Sequence, residues 1–237
     1  MYPGGSRGST RRIVLLVRTK YAAVLSTLQG YQIITVQRRG FIPGHDCIGV
    51  FGAEEARLYT EHVVWHHSGT AALCGLVGAK MGLPTHNMRE ALQAALVHDM
   101  GKFFMPRECL WKNGRFESED KAVMERHAAE GAEFLAHRGF SEAVVLAVRH
   151  HHERWDGTGY PDGLKGEEIP LLARIIGVCD ALDAMTEGRH YARRLGPQGI
   201  VEELEVGSRR QFDPLVVRLV IDFLGRKGES LRVQNRA

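Results

Sequence analysis

The sequence predicts an all-α helical bundle with a metal-suited site in its core, preceded by a small α/β segment. Three observations predict it. From Ala53 onward, apolar residues recur at helical spacing between Gly and Pro stop signals. That stretch contains no convincing strand pattern. Histidines and aspartates fall one or two at a time on successive helices, and a bundle gathers such ligands from different helices into its core.

Residues 1–10 are rich in Gly, Ser and Arg and read as a frayed terminus. Ile13–Val17 then reads as a short buried strand, Tyr21–Gln29 as a helix ended by Gly30, and Tyr31–Val36 as a second strand. The first domain is thus a β-α-β-like segment over residues 1–50, to which the sequence assigns no role. A phospho-acceptor pocket needs acidic side chains at strand ends, and no acidic residue precedes Asp46. Gly40–Gly52, with Pro43, reads as a linker.

The second domain, residues 51–237, is predicted helical. Ala53–Met81 forms one long or broken helix closed by Gly82 and Pro84. Asn87–Met100 follows, with Ala91, Leu92, Ala95, Leu96 and Met100 near one face. Ser118–His137 has Ser118 as its N-cap, with Glu119 and Asp120 suiting the positive end of the helix dipole. Ser141–His151 is next, then Pro170–Met185 with a first-turn proline. Pro197–Val206 and Pro214–Leu224 complete the set, the last with Val216, Val217, Val220, Ile221 and Leu224 as its apolar stripe.

Composition narrows the classes. At 237 residues, with 44% apolar and 25% charged, the chain suits one substantial core plus a small attachment. Net charge is only +3 and the Arg pairs are dispersed, which argues against a nucleic-acid polymer as partner while favouring approach of a small anion. Cys47, Cys74, Cys109 and Cys179 form no C-x-x-C pair, so neither a zinc ribbon nor a disulfide scaffold is expected. Cys74 and Cys179 lie in apolar surroundings and read as buried thiols. No apolar run approaches the roughly 18 residues that cross a bilayer, and the start lacks a secretion signal. The expected location is cytoplasmic, with no membrane span.

The chemistry begins at His98-Asp99, followed by Gly101 and Lys102. Alone, the pair reads as a helix end with a satisfied histidine. Companions change that reading: His127, His151, His152 and Asp180 lie on three later helices, and His66 or His67 lies on the helix before. Imidazole and carboxylate together suit Zn, Fe and Mn, and a carboxylate can bridge two metals where a neutral imidazole cannot. Adjacent His and Asp on one helix point about 100° apart, which lets one serve a single ion and the other bridge. Of twelve histidines, His45, His62, His86, His137, His150 and His190 are left as surface, core or neighbouring residues, with His62 or His150 the candidates among them for a place near the site.

The run His151-His152-Glu153-Arg154-Trp155-Asp156-Gly157-Thr158-Gly159-Tyr160-Pro161 is the second feature. Its glycines suit an ordinary turn. Leaving a metal site, the same glycines could bring backbone N–H groups to phosphate oxygens, with Tyr160 and Trp155 packing on a base or on the loop itself.

Taken together, these motifs resemble the HD-GYP family, a branch of the HD phosphohydrolase superfamily that hydrolyses bis-(3′-5′)-cyclic dimeric GMP. The resemblance rests on His98-Asp99-Met100-Gly101-Lys102, His127 before Gly131, the His151–Pro161 run, Asp180 with Asp183-Ala184, Arg189 with Tyr191, and Phe212-Asp213-Pro214. It spans roughly residues 60–224 and implies an HD-type bundle. It implies metal ligation by His66, His98, Asp99, His127, His151, His152 and Asp180, and catalytic roles for Asp99 and Lys102. Lys102, Asp183, Arg189 and Tyr160 are the implied substrate contacts. Two ions, iron first and manganese second, are implied, with a bridging hydroxide attacking phosphorus to give pGpG and, after a second cut, GMP.

Departures from the family pattern are specific. Counting from Gly82 and His98 favours His66 as the first ligand, whereas the family's His-Ser dipeptide favours His67; His66 is chosen. His62 stands where members with a third metal carry Glu, so two metals are expected. Gly69 replaces an Arg, and His190 a Pro. Cyclic GMP-AMP or another nucleotide is the rival substrate, and a catalytically silent cyclic-dinucleotide sensor the rival class. A homodimer or a signalling partner is compatible with the sequence.

Overall fold

A computed structural model describes residues 53–234 apart from 111, 113, 115 and 188–194. The expected β-α-β segment lies outside the described residues. Among the described residues there are eight α-helices: α1 Ala53–Met81, α2 Thr85–Val97, α3 Arg107–Leu110, α4 Ser118–His137, α5 Glu142–His150, α6 Leu171–Glu187, α7 Pro197–Gly207 and α8 Pro214–Gln234. Short 3-10 helices occupy Met100–Phe104 and Gly166–Glu168. The one β feature among the described residues is an isolated bridge between Ser208 and Phe212. The all-α expectation therefore agrees with the described chain.

Two helix boundaries differ from the sequence reading in ways that bear on the site. Helix α2 ends at Val97, so His98 and Asp99 stand in a turn instead of on the helix. The periodicity that runs through to Met100 is apolar in both settings, so pattern alone does not mark the break. Helix α4 is capped by Glu117 in place of Ser118: the Glu117 side chain accepts from the third helical N–H, and Asp120 accepts from Glu117 N at 2.9 Å. This reciprocal pair satisfies two free helix-end donors at once, which a lone serine does not. At α5, Ser141 caps as its sequence position suggests, accepting from Val144 N at 3.4 Å.

The core lies where α1, α2, α5 and α6 meet, with α4 closing one side against α5 and the Met100–Phe104 turn. Cys74, Ala91, Ala95, Val144, Val148, Ile175, Ile176 and Val178 are all completely buried there. Each fully buried Val or Ile contributes roughly 1.5–3 kcal/mol relative to exposure, before entropy is counted. Small residues on α2 and α5 allow the helices to approach closely. Both Cys74 and Cys179 are buried thiols, as expected. On α8, Val216, Val217 and Val220 pack with Leu204 and Phe212 over the end of α6. Among the described residues, no helix is long and apolar enough to cross a membrane.

Candidate metal centre

Five elements converge on one polar pocket within this core. Helix α1 carries His66 and His67, the turn after α2 carries His98 and Asp99, and α4 carries His127. The turn after α5 carries His151 and His152, and α6 carries Asp180 and Asp183. Close backbone contact makes the convergence possible. A Cβ on Gly101 would stand 1.9 Å from the His127 carbonyl oxygen, and Gly131 packs against Gly101 from the facing helix. Glycine at 101 thus lets the His98-Asp99 turn lie directly on α4.

Backbone carbonyls then set the ring orientations. His98 Nδ1 donates to Ala95 O at 2.9 Å, His127 Nδ1 to Met124 O at 2.6 Å, His151 Nδ1 to Val148 O at 2.6 Å and His67 Nδ1 to Leu96 O at 2.9 Å. A carbonyl only accepts, so each Nδ1 carries hydrogen and each ring turns its Nε2 toward the pocket. Those four Nε2 atoms are buried without a hydrogen-bond partner, and so is Asp99 Oδ1.

Asp99 stands between two groups. Its Oδ1 lies 3.2 Å from His127 Nε2 and 3.8 Å from His151 Nε2, while Oδ2 lies 3.5 Å from His98 Nε2 and 3.9 Å from His67 Nε2. One group of possible metal ligands is Asp99, His127, His151 and His152; a second is His66, His98 and Asp180; His67, His98 and Asp99 overlap both. Within each group the ligand atoms lie within 4.8 Å of one another. Buried polar atoms that lack a hydrogen-bond partner, as Nε2 of His67, His98, His127 and His151 and Oδ1 of Asp99 do, are costly. Cations remove that cost, and mixed imidazole and carboxylate donors fit Fe, Mn or Zn. The residues present therefore fit a metal centre.

The charge around the two groups differs. Burial pushes the His98 and His151 imidazoles down to about 3, and burial beside His151 holds His152 well below the usual range. Against the opposing effect of burial, the Lys102 ammonium holds Asp99 well below the usual carboxylate range. Lys102 Nζ is 2.5 Å from Asp99 Oδ2. His66 behaves oppositely: burial lowers it, but the Asp180 and Asp183 carboxylates prevail and raise it to about 9. Its Nε2 is 2.9 Å from Asp180 Oδ1 and its Nδ1 2.9 Å from Asp183 Oδ2.

Asp183, expected from the sequence to touch substrate, has its side chain completely buried and hydrogen-bonded to His66 Nδ1. A Cβ on residue 69 would stand 2.1 Å from Asp183 Oδ1, so Gly69, where the family pattern has Arg, is what admits that carboxylate. The sequence reading also treats His66 and His67 as alternatives, whereas the structure brings both to His98. Their adjacent imidazoles are the signal for that pairing; for Asp183, it is the i, i+3 spacing from Asp180.

Beside the centre opens a cleft of about 760 Å³, lined among others by His151, His152, Asp180, Tyr160, Trp155 and Arg174. Tyr160 packs its ring 4.9 Å from that of His152, and burial with nearby Glu125 pushes its hydroxyl up, keeping it a donor. The Gly-rich loop is held at several points. Asp162 N donates to Glu153 Oε1 at 2.7 Å, Trp155 N to Gln211 O at 3.2 Å and Asp156 N to Arg210 O at 2.8 Å. A Cβ on Gly159 would stand 2.4 Å from Arg154 N, so the loop folds back on its own backbone. Arg189, His190 and Tyr191 lie outside the described residues, as does the side chain of His62, which precedes His66 by one turn of α1.

The HD domain family matches residues 51–216. The chain is 40% identical over 148 residues to the cyclic di-GMP phosphodiesterase response regulator RpfG of Xanthomonas campestris, covering 61% of this chain and 39% of that protein. It is 31% identical over 159 residues to 3'3'-cGAMP-specific phosphodiesterase 2 of Vibrio cholerae, covering 66% and 30%. The chain thus spans well under half the length of these relatives. Its fold resembles that of Bd1817, an HDG"Y"P protein from Bdellovibrio bacteriovorus, with TM-score 0.58, 21% identity and coverage of 69% of this chain and 52% of the other. The chain belongs to the HD domain family, and its motifs place it with the HD-GYP branch.

Proposed function

We propose that residues 51–237 form a metal-dependent phosphodiesterase domain that hydrolyses cyclic di-GMP to pGpG. The observation that carries this reading is the position of Asp99, whose two oxygens face two separate sets of buried imidazoles. In this reading His66, His98, Asp99 and Asp180 hold one ion, and Asp99, His127, His151 and His152 the other. Iron is the first choice and manganese the second. Such ions, when bound, acidify water and neutralise phosphoryl charge near neutral pH.

The chain's own groups supply the rest. Lys102, fixed at Asp99, places an ammonium where a phosphoryl oxygen gathers charge. Tyr160 offers a hydroxyl donor and an aromatic face at the cleft mouth, and the strapped Gly-rich loop holds that ring against His152. Arg189 is proposed as the guanidinium that clamps the ligand. The cleft volume is in the range of small-molecule sites and suits a compact dinucleotide.

A second reading keeps the centre and changes the substrate to cyclic GMP-AMP, favoured by the likeness to the Vibrio cholerae enzyme. Parallel turnover of the two cyclic dinucleotides by anaerobically purified, iron-loaded protein separates them. Faster release of pGpG from cyclic di-GMP is expected. Cleavage of the mixed dinucleotide alone would select the second reading, and tight binding of cyclic di-GMP without pGpG release would make the chain a sensor.

A further inference from the structure

The ligand set proposed above uses one histidine from α1, yet the structure points two into the centre. His66 and His67 are both buried, at 7% and 6% exposure. Their surroundings are unlike. The two ring nitrogens of His66 are each 2.9 Å from a carboxylate oxygen, Asp180 on one side and Asp183 on the other. His67 has its Nδ1 fixed by Leu96 O, the carbonyl two residues before His98, and its Nε2 has no hydrogen-bond partner. That Nε2 faces Asp99 Oδ2 at 3.9 Å, and the ring centroid lies 4.6 Å from that of His98.

We infer that His67 is an additional ligand of the ion held by His66, His98, Asp99 and Asp180. The geometry points the same way. With Nδ1 held by the Leu96 carbonyl, the buried and unpartnered Nε2 is left within ligand range of Asp99 and His98, where a cation would give all three a common partner. The Leu96 carbonyl is also the type of partner that fixes a ligating imidazole in place. A third imidazole leaves this ion fewer positions for water than the ion beside His127 has. The cleft-side group would then be the more open of the two to an incoming phosphodiester.

This inference rests on the proposed two-metal reading, and the test keeps the two separable. Wild type, His67→Ala and His67→Gln are prepared metal-free as full chains and titrated with Mn²⁺ by calorimetry, with stoichiometry checked by elemental analysis and helicity by circular dichroism. Co²⁺-loaded samples are compared by visible absorption, whose intensity reports coordination number. Wild type should bind two ions. Both variants should keep the helical spectrum and one ion at wild-type affinity, while the second weakens by about 10-fold or more and the Co²⁺ bands change. If both variants bind two ions with wild-type affinity and unchanged Co²⁺ bands, His67 is no ligand and this inference is overturned, with the two-metal reading intact. If wild type itself binds no Mn²⁺, the two-metal reading fails first. Should His67→Ala lose helicity, His67→Gln, which keeps a donor near Leu96 O, decides the matter.

Discussion

The two halves of the centre share Asp99 but hold opposite charge environments. Beside His127 and His151 the donors are imidazoles, and burial keeps His151 and His152 neutral well below pH 7. Beside His66 the donors include Asp180, with Asp183 behind, and those carboxylates hold a proton on His66 up to about 9. In the proposed reading, His151 and His152 are ready for a cation at neutral pH, whereas His66 would release a proton as its cation enters, because metal and proton compete for the same nitrogen. In the proposed two-metal reading, the half beside His66 is therefore the more pH-sensitive of the two.

Four perturbations sharpen this contrast, in decreasing order of effect. Gly101→Ala should disable both halves, since its Cβ would meet the His127 carbonyl at 1.9 Å and push the Asp99 turn off α4. Overpacking of that kind costs roughly 1–3 kcal/mol, so chemical denaturation should show a lowered midpoint and metal analysis a loss of both ions. His127→Ala should empty only its own half, weakening one ion about 100-fold in calorimetry and leaving the other unchanged. Equal loss of both ions would show that the halves are not separable.

Gly69→Ala is the counterpart on the other side. Its Cβ would displace Asp183 from His66, so the ion beside Asp180 should weaken by about 10-fold, with the His127 side untouched. The smallest effect is in pH dependence. Mn²⁺ affinity of the His66 half should climb as pH rises from 6 toward about 9 and then level, and climb more steeply than that of the other half, where burial keeps His151 and His152 neutral over the whole interval. Competition titrations at a series of pH values measure both slopes, and identical slopes would contradict the contrast.

The sequence makes the helices and most of the centre legible, for physical reasons that also explain what it hides. Periodic apolar residues mark α1, α4 and α6 because each buries one stripe, and His127 and Asp180 are visible as polar breaks in those stripes. The end of α2 is hidden because Met100 continues the apolar spacing past Val97, while the break itself is dictated by a tertiary contact, Gly101 on Gly131. The capping of α4 by Glu117 depends on a reciprocal side-chain geometry that serine would also suit by type. Asp183 reads as a substrate contact through the family resemblance alone, with no local pattern that fixes where its side chain points. Only Gly69, by omitting a side chain one helix away, reveals that it turns inward to His66. Residues 1–50 and Arg189 lie outside the described residues, so the expected β-α-β segment and the expected guanidinium contact rest on sequence alone.

Counting metal and measuring hydrolysis together on wild type and Asp99→Ala tests the central claim most directly. The protein is purified anaerobically, its iron and manganese are measured per chain, and pGpG release from cyclic di-GMP is followed on the same samples. Wild type should hold two ions and release pGpG, and Asp99→Ala, deprived of the carboxylate both halves share, should lose both ions and slow by about 1,000-fold or more. Survival of both metal content and cleavage in Asp99→Ala would contradict the account.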